Sequence, residues 1–439
     1  MSAKSRQPAI DPWEGVYSGA VGLFLALALL KLGHPVIVDD QVQAPASREE
    51  LALGPWPVAF GYTMLLIVTG LGLRFWRWQP KAPLWWLATP VIWLACQFAS
   101  ALTTIDGALT RAVVPHFVAC GVVFFLGAFS FARVTRRRPF WIGLVGGGLI
   151  VFAVGWWQHF VGLEETRRFL YSLPNWQSLS PAFLQKVASN RIYSTLFYPN
   201  TLAGVVLLLL PILAVVTWRS ARTVSQAAGW IISGAVVVMG LGCLYWSGSK
   251  AGWLIALAQV LVIVCQGRAP RKWKVGVLLG VMSLGLAGFT LKYADYIGKG
   301  ATSVSARFDY WRTAVLTIKE SPTLGSGPGT FMIRHRDSKG TEAEMTRLAH
   351  NDYLQQASDS GLVGGIAYLT WIVGGLVLLY RNSSRDALRF SIWLGLLGVF
   401  AQGFVEFGLY IPAISWVTFL LLGWLSGDTN QIDNAAKHS

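Results

Sequence analysis

The sequence predicts an all-α, polytopic membrane protein of about twelve transmembrane helices, and three observations predict it. Of its 439 residues, 54% are hydrophobic and 13% charged, with a mean hydropathy of +0.50. That is more apolar surface than a soluble core can hide beneath a charged exterior. The apolar runs are close to 20 residues, the length at which a helix crosses about 30 Å of hydrocarbon, and they lack the alternation of a membrane β-barrel. Arg and Lys clusters recur after every second run, the pattern that keeps a loop on the cytoplasmic side.

Taken in order, the runs cover residues 17–33, 57–73, 84–101, 112–132, 140–159, 201–218, 228–246, an eighth run beginning after Lys250, then 275–291, 361–380, 390–405 and 409–425. Even-numbered runs end at Arg74 and Arg77, at Arg133 with Arg136 to Arg138, at Arg219 and Arg222, at Arg268 with Arg271, and at Arg381 with Arg385. Both termini are therefore expected in the cytoplasm. The chain divides into residues 1–291, carrying helices 1–9 with a smaller outer loop at 160–198; residues 292–358, a large outer loop between helices 9 and 10; and residues 359–439, carrying helices 10–12 and a polar cytoplasmic tail after Gly427. No removable signal peptide is evident in the polar first 16 residues, which run into the first span without a small-residue cleavage site.

A net charge of +15 would suggest nucleic acid in a soluble protein, but here most cations sit in short connections where they set topology, so no nucleic-acid partner is implied. Cys96, Cys120, Cys243 and Cys265 are too widely spaced for a metal site or a disulfide framework. Neither a metal nor another cofactor is expected.

Three constellations concentrate polar chemistry on the outer side. At the entrance to the sixth span, Pro199 and Asn200 read as a helix start with Asn200 as cap, and Arg191 stands just upstream. A guanidinium beside a helix N-terminus suits a phosphate. The Ser247-Gly248-Ser249-Lys250 hairpin puts a cation where topology does not require one. In the large loop, residues 306–320 read as an amphipathic helix lying on the bilayer surface, with Phe308, Trp311, Val315 and Ile318 on one face and Arg307 and Arg312 elsewhere. The glycine-rich Gly325 to Phe331 follows as a turn without Walker spacing, and Leu348 to Gln356 reads as a helical turn with His350 and Tyr353 on one side. The other histidines, His34, His116, His159, His335 and His438, read as structural.

With these residues in order, the sequence resembles the O-antigen ligase family, of the wider O-antigen polymerase and protein O-oligosaccharyltransferase superfamily. The resemblance rests on Arg191 to Asn200, Ser247 to Lys250, Arg307 to Trp311, Gly325 to Phe331 and His350 to Gln355. It departs at Lys250, where the family usually carries Arg; the charge is kept and a bidentate grip is lost. The resemblance implies a GT-C-like, metal-independent, inverting glycosyltransferase of the Gram-negative inner membrane. Its active site would be periplasmic, its donor an O-antigen glycan on undecaprenyl diphosphate, and its acceptor the lipid A-core oligosaccharide.

Such chemistry needs preorganised cations for the departing diphosphate, for which Arg191, Lys250 and the helix start at Asn200 are the candidates. It also needs an acceptor for the hydroxyl proton, for which His350 is the candidate. Arg307 and Arg347 are expected to hold acceptor phosphates, and Trp311, Arg312 and Tyr353 complete the expected substrate-binding set; the donor's polyprenyl tail would lie among membrane lipids in a groove between spans. A polymerase or a protein-glycosylating ligase would use the same donor. A transporter would place ionisable groups near the midplane, whereas these spans are nearly free of charge between their ends, with Glu406 close to the outer end.

Overall fold

The computed structural model describes residues 11–179, 181–267, 270–298, 302–340 and 344–427. The first ten residues, Arg268 and the tail after Gly427, including His438, lie outside the described residues. Among the described residues every regular element is helical.

The membrane helices are α1 (Pro12–Lys31), α3 (Val58–Leu73), α4 (Leu84–Ala101), α5 (Gly107–Phe129), α6 (Arg138–Trp157), α9 (Pro199–Ala221), α10 (Gln226–Ser247), α11 (Lys250–Gln266), α12 (Arg271–Gly298), α15 (Asp352–Ser383), α16 (Ala387–Gln402) and α17 (Pro412–Gly427). Five shorter helices decorate them: α2 (Arg48–Leu53), α7 (Leu163–Ser172), α8 (Pro181–Ala188), α13 (Thr302–Glu320) and α14 (Phe331–Ser338). All twelve apolar runs are thus helical. Among the described residues, eight helices are long and apolar enough to span, while α3, α11, α16 and α17 are apolar but only 16 or 17 residues long. Local chemistry limits these four. Pro57 precedes α3, Pro412 opens α17, Gly403 follows α16, and α11 starts abruptly at a four-residue hairpin.

The bundle core is built from close helix pairs: α5 on α17, α1 on α6, α4 on α15, and α9 between α10 and α16. Small residues let the backbones approach, since lipid tails supply no hydrophobic force between helices. A Cβ at Gly423 of α17 would lie 2.0 Å from the Phe124 carbonyl of α5. Aromatic side chains fill the remaining space, with Trp86, Trp93, Trp371 and Trp416 fully buried.

Both long outer segments are largely helical. The chain leaves α6 through a single π turn, Gln158–Gly162, and continues directly into α7. In the larger segment α12 extends past the apolar run and kinks at Tyr293, and α13 follows. The expected apolar face of α13 is only partly outward: Phe308 and Val315 are exposed, but Trp311 packs with the inward-facing Tyr310 and Ala314, beside the buried Thr313 and Thr317. An amphipathic helix with that outer face suits a bilayer surface.

The glycine turn is a clasp rather than a flexible connection. Gly325, Gly327 and Gly329 all have positive φ. The backbone N–H groups of Ser326, Gly327 and Gly329 donate to the Ser358 carbonyl, the Asp359 carbonyl and the Asp359 carboxylate at 3.0, 3.0 and 2.9 Å. With those donors engaged, the turn is no phosphate cradle. It grips α15 where Gly361, at φ 78°, interrupts the helix.

Gly327→Ala is expected to destabilise the fold by about 2–4 kcal/mol, because it adds a left-handed L-residue and an overpacked methyl group. Its φ is +111° and the new Cβ would stand 2.0 Å from Thr104 Oγ1. Gly276→Ala, whose Cβ meets nothing within 4 Å, is the control. Thermal melting of the purified chain in detergent should separate the two, and equal melting would contradict the clasp.

Candidate active site

Arg191 and Asn200, Arg307, and His350 come from three separated stretches of chain and meet at one end of the bundle. What they meet on is Glu406, in the short connection between α16 and α17.

Arg191 lies on the hairpin between α10 and α11. Its Nε donates to the Ser247 carbonyl at 2.7 Å. Gly248 ends α10 in the left-handed conformation, φ 63°, and a Cβ there would press on the Arg191 side chain at 3.1 Å. Glycine is therefore needed twice at this position, for the turn and for the approach. Ser249 then caps α11 by accepting from the Gly252 N–H at 3.2 Å.

Asn200 does not cap α9 as expected. Tyr198 is the cap residue, Pro199 occupies the first turn, and Asn200 stands inside that turn with its side chain turned to its neighbours. Its Oδ1 accepts from Arg191 Nη2 at 2.8 Å and its Nδ2 donates to Glu406 Oε1 at 2.6 Å. The carboxamide's opposite ends thus link a cation to a carboxylate.

Arg307 reaches the same carboxylate from α13. Its Nη2 donates to Glu406 Oε1 at 2.5 Å and its Nε to the Val405 carbonyl at 3.0 Å. His350 completes the cluster, but not from within a helix as expected. It precedes α15, at φ 50°, and Asn351 supplies the cap by accepting from the Tyr353 and Leu354 N–H groups at 3.0 Å each. A non-glycine residue in that region is held there by its surroundings. The buried Gln355 accepts from the Ala349 N–H at 2.7 Å on one side, and on the other the Asp352 N–H donates to the Gly403 carbonyl at 2.7 Å. His350 Nδ1 consequently stands 3.4 Å from Glu406 Oε2, with the ring between Tyr310 and Phe407. Burial pushes the Tyr310 phenol up to about 12, so it packs here as a neutral ring.

The electrostatics follow from this packing. Burial alone would raise the Glu406 carboxyl, but its contacts with His350 and Arg307 hold it below the usual carboxylate value. Burial pulls the Arg191 guanidinium down, Glu406 opposes that shift, and Arg307 adds to it. Lys250 lies within the electrostatic reach of Arg191 and Arg307, its Nζ 5.2 Å from the Tyr293 ring centre. Lys292 joins it across the same ring at 5.7 Å, over Tyr245, and within reach of Arg191. Arg191, Lys250, Lys292 and Arg307 thus form a cationic neighbourhood at this end of the bundle, which favours an anionic ligand.

The remaining expected residues sit around this cluster. Arg347 donates from Nη1 to the Ile37 carbonyl at 3.2 Å and influences Tyr198, at the α9 side of the site. Trp311 packs beside Tyr310, Ala314 and Phe331, and Arg312 is exposed on α13. Tyr353 turns from the cluster, its hydroxyl donating to the Phe400 carbonyl at 2.8 Å and its ring 4.3 Å from Phe404. Among the described residues, no three His, Cys, Asp or Glu side chains are grouped to hold a metal. His335, bonded to Thr313 at 3.1 Å and to the Glu344 carbonyl at 3.0 Å, is structural as expected.

Glu406 and Lys292 were given no role by the sequence reading. The signal for Glu406 was present: it is the only acidic residue between Asp386 and Asp428. An isolated carboxylate near the end of an apolar span needs a partner.

Fold and site together define a multi-pass helical membrane protein with a cationic, carboxylate-centred cluster of side chains at one end of its bundle. Residues 235–369 match the family model described as O-antigen ligase. The matched stretch contains Lys250, Lys292, Arg307 and His350. An uncharacterized protein of Haemophilus influenzae is 27% identical over 166 residues, 33% of this chain and 42% of the relative, so the chain spans less than half the length of that relative.

Glu406→Gln tests the ionised carboxylate. With its folded pKa depressed, Glu406 contributes stability that is present above its unfolded value and lost as the pH falls through the folded one. Near neutral pH the variant is expected to be less stable by on the order of 3 kcal/mol, the cost of leaving a buried cation unpaired. That gap should close as the pH is taken below 4.5, the ordinary Glu value. A gap that persists in acid would mean that Glu406 is not ionised.

Proposed function

We propose that this protein is an O-antigen ligase, a metal-independent, inverting glycosyltransferase that moves a glycan from undecaprenyl diphosphate to the lipid A-core oligosaccharide. It would work at the periplasmic face of the Gram-negative inner membrane, with both termini cytoplasmic. What carries the reading is the convergence of Arg191, Asn200, Arg307 and His350 at Glu406, with Lys250 and Lys292 close to Arg191. The O-antigen ligase domain supports it.

In the transfer, an acceptor hydroxyl oxygen bonds to the anomeric carbon from the face opposite the diphosphate. The bond from that carbon to the phosphate oxygen breaks, and its electron pair leaves with undecaprenyl diphosphate. The hydroxyl proton passes to His350. Glu406 faces Nδ1 and favours the tautomer protonated there, which leaves Nε2 as the basic atom. Ring contacts with Tyr310 and Phe407 hold the imidazole in this orientation.

Negative charge grows on the diphosphate as the bond breaks. Arg191, Lys250 and Lys292 meet it, assisted by the free N–H groups at the start of α9. Arg191 is locked before any substrate arrives, between Ser247 and Asn200, so little reorganisation is needed. Arg307 is committed to Glu406 through Nη2 and acts on the acceptor side with Arg347, Arg312 and Trp311, where a phosphorylated core would approach. Tyr353 would contribute by holding α15 to α16 rather than by touching substrate.

Purified protein supplied with a lipid-linked glycan and lipid A-core tests the proposal. His350→Ala is expected to lower transfer by about 10²–10⁴-fold, the range of a lost general base, with the chain still folded at the assay temperature. Wild-type transfer rates in that variant would remove the assignment. Activity should also survive a chelator, and strict dependence on added divalent metal would contradict catalysis by cationic side chains.

A further inference from the structure

The opposite end of the bundle holds a second polar cavity. α1 runs from Asp11 to Lys31 and α3 from Val58 to Arg74, so the Asp11 and Arg74 ends both lie away from Gly33, which packs on Thr195 and Leu196 near the Glu406 site. Between them is a cavity of about 420 Å³ lined by Asp11, Glu14, Arg74, Phe75, Arg77 and Arg133. That volume falls in the usual range for a small-ligand site.

Its charges are unequally satisfied. Asp11 is taken by Arg74, at 3.0 Å, and by the Trp13 N–H. Glu14 accepts from the Thr135 N–H, the Thr135 hydroxyl and the Arg136 N–H at 3.0, 2.7 and 3.2 Å. Arg77 is exposed and donates only to the carbonyl of its neighbour Trp76, at 3.0 Å, among the described contacts. Arg133 donates to the Gln79 carbonyl at 2.8 Å, and its Nε is buried with no hydrogen-bond partner. Neither guanidinium has a carboxylate in salt-bridge range among the described residues, and a buried donor left open is a cost that a ligand oxygen would remove.

The surroundings identify an amphiphile rather than a free anion. Trp76 and Trp78, on either side of Arg77 in the chain, pack on Phe129 at 5.2 and 4.6 Å, and Trp78 is 61% exposed. Immediately before Arg74, Leu66 and Leu73 stand seven residues apart on one face of α3 and are 73% and 61% exposed. A guanidinium pocket, an aromatic rim and a bare apolar face in line match phosphate, glycerol backbone and acyl chain. We propose that this cavity binds the headgroup of an anionic phospholipid, with Arg77 and Arg133 on its phosphate and an acyl chain along α3.

The test is a thermal shift of the full-length protein in detergent with phosphatidylglycerol, with phosphatidylcholine, and with inorganic phosphate. Phosphatidylglycerol is expected to raise the melting temperature of the wild type by at least about 3 °C, and the other two additions by much less. Arg77→Gln, an exposed change that leaves the fold intact, should lose most of that shift, and the double change with Arg133→Gln should lose it all. An undiminished shift in Arg77→Gln would overturn the proposal. So would equal shifts with phosphatidylcholine, which has no net charge, or with inorganic phosphate, which has no acyl chain.

Discussion

One buried carboxylate governs the polar end of this protein. Glu406 is 7% exposed, and Asn200 and Arg307 share its Oε1 while His350 faces its Oε2. Unpartnered, such a charge would be expelled or neutralised; with these partners it is retained and fixes where each of them points. Through Asn200 its influence reaches Arg191, and through Arg191 the α10–α11 hairpin. The separation of roles proposed for the site depends on this arrangement, because one anion holds Arg307 and orients His350 while Lys250 and Lys292 lie on the Arg191 side.

A second buried acid supports the first from behind. Asp359 accepts from the Gly329 N–H, from the Tyr410 hydroxyl at 2.7 Å and from Gln355 Nε2 at 2.9 Å. Gln355 in turn holds the Ala349 N–H beside His350, and Tyr410 lies in the same connection as Glu406. The glycine clasp, the kink at Gly361 and the positive φ of His350 are parts of one device that sets the histidine against the carboxylate. Satisfied polar networks of this kind rigidify the place where they are buried, which a site that stabilises transient charge requires.

The fold was legible because hydropathy and Arg or Lys placement report directly on spanning helices; all twelve runs formed helices. The convergence of Arg191, Arg307 and His350 at one end of the bundle also agrees with the grouping read from the sequence. Less readable was anything set by long-range pairing. Asn200 looked like a cap because Asn before an apolar run usually is one, but a carboxamide bridging Arg191 and Glu406 outcompetes the cap. His350 looked helical because the spacing after it is helical, whereas its left-handed backbone is imposed by Gln355 and Gly403. The Gly325 to Gly329 donors could have served a ligand until Ser358 and Asp359, some 30 residues later, were seen to take them.

The central claim is that Glu406 organises the anion-binding side chains as one unit. A double-mutant cycle measures this most directly, with affinity for an undecaprenyl diphosphate donor determined for wild type, Glu406→Gln, Arg191→Gln and the double variant. If Glu406 holds Arg191 through Asn200, the double variant binds no more weakly than Arg191→Gln alone. Losses that simply add would contradict the account, since they would mean that the two side chains act independently.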